Sequence, residues 1–294
     1  MNKKFHGVLT ALITPFDDKF KVDFDVYEKM IKFQMHNGVS GLVSCGTTAE
    51  SPCLSYEEQL ESMRRCVNLS AGKVSVIAGV GSNNTEKVCH LAKEAEKIGV
   101  DALLVIAPYY NRPSPDGLVE HYKSISASVS IPIILYNHPG RTGVDIKTDT
   151  IERLSNIKNV IGIKDVSGDV NRPLEVRRKI GEDFLQFSGD DISNLSFYAN
   201  GGHGAISVAS NIVPKEMVAI YNFAKENNFE DALKAHSKFY DLYQGLSCET
   251  NPVPVKYSAE LMGFCKSKVR LPLVELSSSN KSKVKNILSE LNLI

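Results

Sequence analysis

The stretch Val160-Ile161-Gly162-Ile163-Lys164-Asp165-Val166 is an apolar, β-branched run with a glycine inside it and a lysine near its end. Such continuous apolarity reads as a strand of a parallel sheet, buried on both faces. A lysine ammonium has no ordinary reason to interrupt one. Taking an ammonium out of water disfavours its charged form and leaves a nucleophilic amine, which is what a carbonyl substrate needs to form a Schiff base. The competing reading is a strand-end lysine that carries its head to water or pairs with Asp165. The rest of the chain weighs against that second reading.

Seven further apolar runs flank this one: Val8–Thr14, Gly41–Cys45, Val74–Val80, Ala102–Ala107, Ile133–Tyr136, Leu185–Ser188 and Gly204–Val208, with Ile161–Lys164 sixth in the series. Each leads into a turn rich in Gly, Pro, Asn, Ser or Thr. Between the runs lie segments with apolar residues at helical spacing, such as Phe24–Asn37 and Thr85–Ile98. Ser55-Tyr56-Glu57-Glu58 is a capping box that opens one of them. Eight βα units in about 220 residues match an α/β fold of the (β/α)8 TIM barrel kind. An open doubly wound sheet would have fewer strands and a nucleotide fingerprint after the first, and none follows Val8–Thr14. Gly79–Asn84 lacks the glycine spacing of a phosphate loop and reads as a tight turn with a helix cap. From about Phe223 the strand signal ends. Phe229–Gln244, Val255–Met262 and Lys281–Leu291 read as helices, punctuated by Asn251-Pro252-Val253-Pro254 and Ser277–Asn280. The expected organisation is a catalytic barrel over residues 1–224 and a C-terminal helical appendage over 225–294. In that appendage Lys256 reads as a solvated surface residue.

The 294 residues are 43% hydrophobic, enough for a sizeable core. Lys+Arg and Asp+Glu each count 34, so no global field draws nucleic acid, and the neutral balance leaves room for self-association. The basic opening Met1–Gly7 leads toward a short strand rather than a signal-peptide core, and no run reaches bilayer length. The expected location is the cytoplasm. Six cysteines without Cys-x-x-Cys spacing then read as reduced thiols, with no zinc site. Cys45 lacks a sequence-adjacent base and reads as small-residue packing.

Barrel active sites form at the carboxyl ends of the strands. Those ends gather Cys45-Gly46-Thr47-Thr48-Ala49-Glu50-Ser51, Pro108-Tyr109-Tyr110-Asn111-Arg112, Tyr136 through Gly143, Lys164, and Ser188-Gly189-Asp190-Asp191. A phenol beside a Schiff-base lysine can shuttle protons. Paired threonine hydroxyls and turn N–H groups suit one carboxylate, and an arginine grips a second. The expected substrates are two small acids, one carrying a ketone.

Gly46-Thr47-Thr48-Ala49-Glu50, Pro108-Tyr109-Tyr110, Leu135-Tyr136-Asn137, Arg141-Thr142-Gly143, Ile163-Lys164-Asp165 and Ser188-Gly189-Asp190 resemble the signature of the 4-hydroxy-tetrahydrodipicolinate synthase family, also called dihydrodipicolinate synthases, within the pyruvate-dependent aldolases. Gly201–Gly204 with Ile206, and Asn251–Lys256, extend the resemblance over nearly the whole chain. It implies condensation of pyruvate with L-aspartate 4-semialdehyde, without cofactor or metal, in a homotetramer built as a dimer of dimers. Lys164 would form the imine, Tyr136 would be the acid/base, Thr47 a relay, and Tyr110 would complete the relay from a neighbouring subunit. Thr48, Arg141, Gly189 and Ile206 would bind substrate.

Two residues depart from the family's pattern. Ala49 stands where a glycine is usual, which costs about a kcal/mol if that backbone needs a positive φ. His138 replaces a small apolar residue and reads as a packing or hydrogen-bonding group. Tyr56, Gln59 and Lys87 stand where lysine-inhibited members hold the amino acid, and a lysine at 87 repels a cation, so weak or absent lysine feedback is expected. N-acetylneuraminate lyase, ketodeoxy sugar-acid aldolases and a catalytically silent barrel are the competing readings. Tyr109-Tyr110 with Arg141 favours a short carboxylated aldehyde over a polyol, and the intact catalytic set speaks against silence.

Overall fold

The computed structural model describes residues 3–294; Met1 and Asn2 of the opening segment lie outside the described residues. The strands are β1 Gly7–Ala11, β2 Gly41–Ser44, β3 Ser75–Gly79, β4 Ala102–Ile106, β5 Ile133–Asn137, β6 Val160–Asp165, β7 Leu185–Ser188 and β8 Gly204–Ser207. They pair in sequence order, all parallel, and β8 returns to β1 to close the barrel. Each strand end of the sequence reading falls within a few residues of the ladder. The largest excess is Leu12–Thr14, which leaves the ladder as the chain turns toward Pro15.

Period-two alternation sorts the strand side chains into two layers. Leu9, Ala11, Ala102, Leu104, Ile134, Tyr136, Leu185, Phe187 and Ile206 fill the barrel interior. Leu42, Val76, Leu103, Val105, Leu135 and Ile163 point outward and pack under the helices. Each fully buried aliphatic side chain contributes about 1.5–3 kcal/mol of transfer free energy. The helices start where the sequence sets caps. Asp23 accepts from Val26 N, Ser55 and Glu58 form the capping box of Tyr56–Ser70, and Asn84 caps Thr85–Ile98. The Gly79–Asn84 segment is thus turn and cap, as its spacing suggests. A Cβ on Gly204 would stand 2.1 Å from the Gly7 carbonyl oxygen, so β8 closes on β1 only with glycine at 204.

The C-terminal region departs from the reading in three places. Phe229–Gln244 is two helices, Phe229–Lys238 and Tyr240–Leu246, separated at Phe239, whose buried ring sits in the core at the join. Ser277–Asn280 is the N-cap and first turn of the helix Ser278–Glu290 rather than a break before it. Lys256 is fully buried within the helix Val253–Leu261, ion-paired to Glu50 at 2.7 Å, and is no surface residue. The surrounding packing explains why. Val8 and Ala205 of the barrel share one apolar cluster with Leu242, Tyr243, Val255, Val284 and Leu288, so the last helices continue the barrel's own core.

Candidate active site

The β5–β6 register sets Tyr136 opposite Lys164, so their side chains emerge side by side on the inner face of the barrel's carboxyl rim. Each is only 5% exposed, and the lysine Nζ stands 4.3 Å from the centre of the tyrosine ring. Asp165, one residue on, faces the opposite side of the sheet. There it accepts a hydrogen bond from Asn137 Nδ2 at 2.7 Å. The same Asn137 nitrogen donates to Asp145 at 2.8 Å, and Arg172 pairs with Asp145 at 3.3 Å. The Lys164–Asp165 pairing is therefore not made, and among the described residues Lys164 forms no ion pair. Its free amine and the phenol share one cavity of about 530 Å³ with Thr47, Thr48, His138, Arg141, Gly189 and Asn251.

The hydroxyl face of this cavity comes from the 3-10 turn Thr47–Ala49 after β2. Thr47 Oγ1 lies 3.5 Å from the Tyr136 hydroxyl, and either oxygen can donate to the other. Thr48 is buried and its hydroxyl accepts from Asn251 Nδ2 at 2.9 Å. Ala49 does not carry the left-handed backbone that would make glycine necessary; Glu50 does, at φ 58°. Alanine at 49 is thus harmless to the turn. Glu50 is one of several non-glycine residues with left-handed φ at the strand ends, with Cys45 (56°), Tyr110 (71°) and Arg112 (43°). Strain of this kind collects at functional sites.

Opposite the threonines, Gly189 follows β7 and passes so near the lysine that a Cβ there would meet Lys164 Cε at 2.7 Å. Arg141, on the short helix Pro139–Thr142, is exposed and donates from Nη2 to the Asn251 carbonyl at 3.1 Å. Asn251 therefore holds both acid-binding candidates, through its amide and its backbone. In the sequence Asn251 reads as punctuation, because an Asn-Pro pair between helices carries the same signal whether or not its side chain is used. Two candidates lie elsewhere. Ile206 is fully buried in the barrel interior and is not among the residues lining the cavity, where Val208 stands instead. Tyr110 is 89% exposed, turned away from its own chain's cavity.

Electrostatics separate bystanders from actors. Burial pushes the Cys45 thiol up to about 12, so it stays protonated and packs. Burial, with Asp191 beside it, raises the Asp190 carboxyl on the cavity wall. His138 also lines the cavity; burial, then repulsion from Arg141 and Lys164, brings it down to about 4, and among the described residues its Nδ1 has no hydrogen-bond partner. It is therefore neutral across the physiological range. Burial alone brings His121 to about 4 as well. Both folded values lie below the ordinary 6.5, so as pH falls through the interval from 6.5 to 4 the unfolded chain binds protons that the folded chain does not. Stability drops over that window. The urea midpoint is expected to fall between pH 7 and pH 5, and to fall less in the double variant His121→Gln/His138→Gln. An equal fall in both proteins would refute this assignment.

A second cavity of about 840 Å³ adjoins the first, sharing Thr47, Tyr136 and Arg141 and extending to Tyr56, Gln59, Glu86, Lys87 and His90. The Tyr56 hydroxyl meets His90 Nε2 at 3.0 Å, the rings stacked.

The family model for the dihydrodipicolinate synthetase family matches residues 4–291. The 4-hydroxy-tetrahydrodipicolinate synthase of Pelagibacter ubique is 44% identical over 293 residues, covering 99% of this chain and all of its own. That of Ehrlichia canis is 42% identical over 292 residues, 99% of each chain. The solved dihydrodipicolinate synthase of Thermotoga maritima superposes with a TM-score of 0.96 at 39% identity, covering 99% of this chain and all of its own. With the barrel, the rim lysine and its tyrosine already in place, these matches make the chain a member of the dihydrodipicolinate synthetase family.

Proposed function

We propose that this enzyme condenses pyruvate with L-aspartate 4-semialdehyde to 4-hydroxy-tetrahydrodipicolinate, the committing step toward diaminopimelate and lysine. The observation that carries the reading is the unpaired Lys164 amine beside the Tyr136 ring in a cavity with hydroxyls on one wall and an arginine at its mouth. The Lys164 nitrogen adds to the pyruvate ketone while Thr48 and nearby backbone N–H groups hold the carboxylate. Tyr136, in contact with Thr47, protonates the departing hydroxyl so that water leaves and the imine forms. Loss of a methyl proton gives the enamine, whose carbon attacks the aldehyde. The substrate's own amine then displaces Lys164 and closes the ring. No metal or cofactor enters these steps, because the iminium is itself the electron sink.

Arg141 grips the semialdehyde carboxylate. Arg141→Lys keeps the charge but loses the planar fork, so KM for the semialdehyde is expected to rise about tenfold with pyruvate imine formation unchanged. An unchanged KM would remove Arg141 from that role. The test of the whole reading is semialdehyde consumption with pyruvate, alongside borohydride trapping and peptide mapping. A trap on Lys164 without semialdehyde turnover means an aldolase with another acceptor. No trap at all sinks the reading.

Tyr110 acts across a subunit boundary in this scheme, in a cytoplasmic homotetramer built as a dimer of dimers. Its exposure and its left-handed φ, with Arg112 Nε donating to the Gly143 carbonyl at 3.0 Å to hold the turn, support outward presentation. Mixing Tyr110→Phe with Lys164→Ala subunits is then expected to restore about a quarter of wild-type activity, since half the dimers are hybrid and each hybrid has one intact site. No recovery after subunit exchange would place Tyr110 outside the site. Lysine is expected to inhibit weakly or not at all, since Lys87 on the wall of the second cavity repels its ammonium groups. Inhibition at sub-millimolar lysine would overturn this.

A further inference from the structure

Besides Asn251, the Thr47–Thr48 turn is held by groups that do not line the cavity. Glu50, three residues after Thr47, has both carboxylate oxygens fixed: Oε1 by Lys256 Nζ at 2.7 Å and Oε2 by the Arg270 backbone N–H at 2.8 Å. Both side chains of the ion pair are completely buried. The ammonium also lies 4.1 Å from the centre of the Phe16 ring, so no water competes for it on that side. Thr14 Oγ1 donates to the Ala49 carbonyl at 2.9 Å, and Asn251 holds Thr48. Successive residues of one short turn, Thr48, Ala49 and Glu50, are thus pinned by separate anchors.

Stability does not explain this arrangement. A buried ion pair generally contributes no more than well-packed apolar residues of the same volume would, because desolvation offsets the Coulomb attraction. The position also has a left-handed φ that glycine adopts without cost. What the pair does fix is geometry. A carboxylate held at both oxygens cannot swivel, and the residue bearing it sets where the preceding 3-10 turn lies. Pyruvate capture needs that turn within a fraction of an ångström, since a misplacement of about 1 Å costs about 10²-fold in rate.

We infer that the Glu50–Lys256 pair positions the Thr47–Thr48 turn for pyruvate, which makes the helical region after the barrel part of the substrate-binding apparatus. This rests on the reading that the cavity takes pyruvate on Lys164. Neither residue is catalytic; both act through the threonines.

The experiment compares the full-length wild type with Lys256→Met, Glu50→Gln and the double variant Glu50→Gln/Lys256→Met, with rates taken per borohydride-trappable site and well below each Tm. Lys256→Met leaves a buried carboxylate unpaired and is expected to lower Tm sharply. The double variant removes both charges and is expected to recover most of that Tm. It should nevertheless keep a kcat/KM for pyruvate at least about tenfold below wild type. The semialdehyde kcat/KM is expected to fall less. Amide exchange at Thr48–Glu50 is expected to speed up in the double variant. A double variant with wild-type kcat/KM for pyruvate and wild-type exchange overturns the inference and leaves the pair a structural staple. Should Lys256→Met fail to fold, the double variant still decides. A wild type that traps no imine refutes the pyruvate reading instead, while the exchange rates still report whether the pair positions the turn.

Discussion

Lys164→Ala gives a folded barrel that no longer traps pyruvate under borohydride, with condensation lowered on the order of 10⁴-fold or more. The fold survives because the substitution breaks no ion pair: the Lys164 amine faces the cavity, and its counterpart on the outer face, Asp165, keeps its bond from Asn137. Far-ultraviolet circular dichroism and Tm are expected to stay near wild type. The control is built into the protein. Lys256 is also buried, but its amine is ion-paired to Glu50 at 2.7 Å and is not among the groups lining the cavity that holds Lys164. Peptide mapping of trapped wild-type enzyme should therefore find the adduct on Lys164 and none on Lys256. Turnover retained by Lys164→Ala, or an adduct on another lysine, would end the Schiff-base assignment.

Gly189→Ala is expected to slow imine formation by about 10²-fold while changing Tm little. The added Cβ would stand 2.4 Å from Val166 Cγ2, 2.7 Å from Lys164 Cε and 3.2 Å from Lys164 Cγ. These neighbours are side-chain atoms, so the backbone need not give. The Val166 side chain and the lysine stem must both give, and the amine moves with the stem. Because Gly189 has no left-handed φ, the substitution brings no backbone strain to confuse the result. Single-turnover trapping against pyruvate concentration measures the effect directly. Wild-type trapping rates would mean that the stem adapts without cost and that this glycine does not set the amine's position.

The barrel was legible because each strand is a short apolar run bounded by breakers, and because parallel neighbours come in chain order. The rim residues were legible for a related reason: in a barrel every strand's carboxyl end faces the same mouth, so Thr47, Tyr136, Lys164 and Arg141 could be grouped without knowing a single distance. What escaped were contacts made at long separation. Lys256 reads as an ordinary helical lysine because local sequence cannot show a carboxylate 206 positions earlier. Asn251 was hidden by its proline. Phe239 divides a helix-period segment because tertiary burial outweighs local propensity there.

The reach of the Glu50–Lys256 and Arg270–Glu50 contacts, 206 and 220 residues, also orders events at the ribosome. Apart from β8 closing on β1, the barrel strands pair with their chain neighbours, and Tyr136 and Lys164 are both synthesised before the Lys256 helix. The threonine turn cannot lock until the Lys256 helix and Arg270 have emerged. The nascent chain therefore carries its lysine and tyrosine early and locks its threonine turn late.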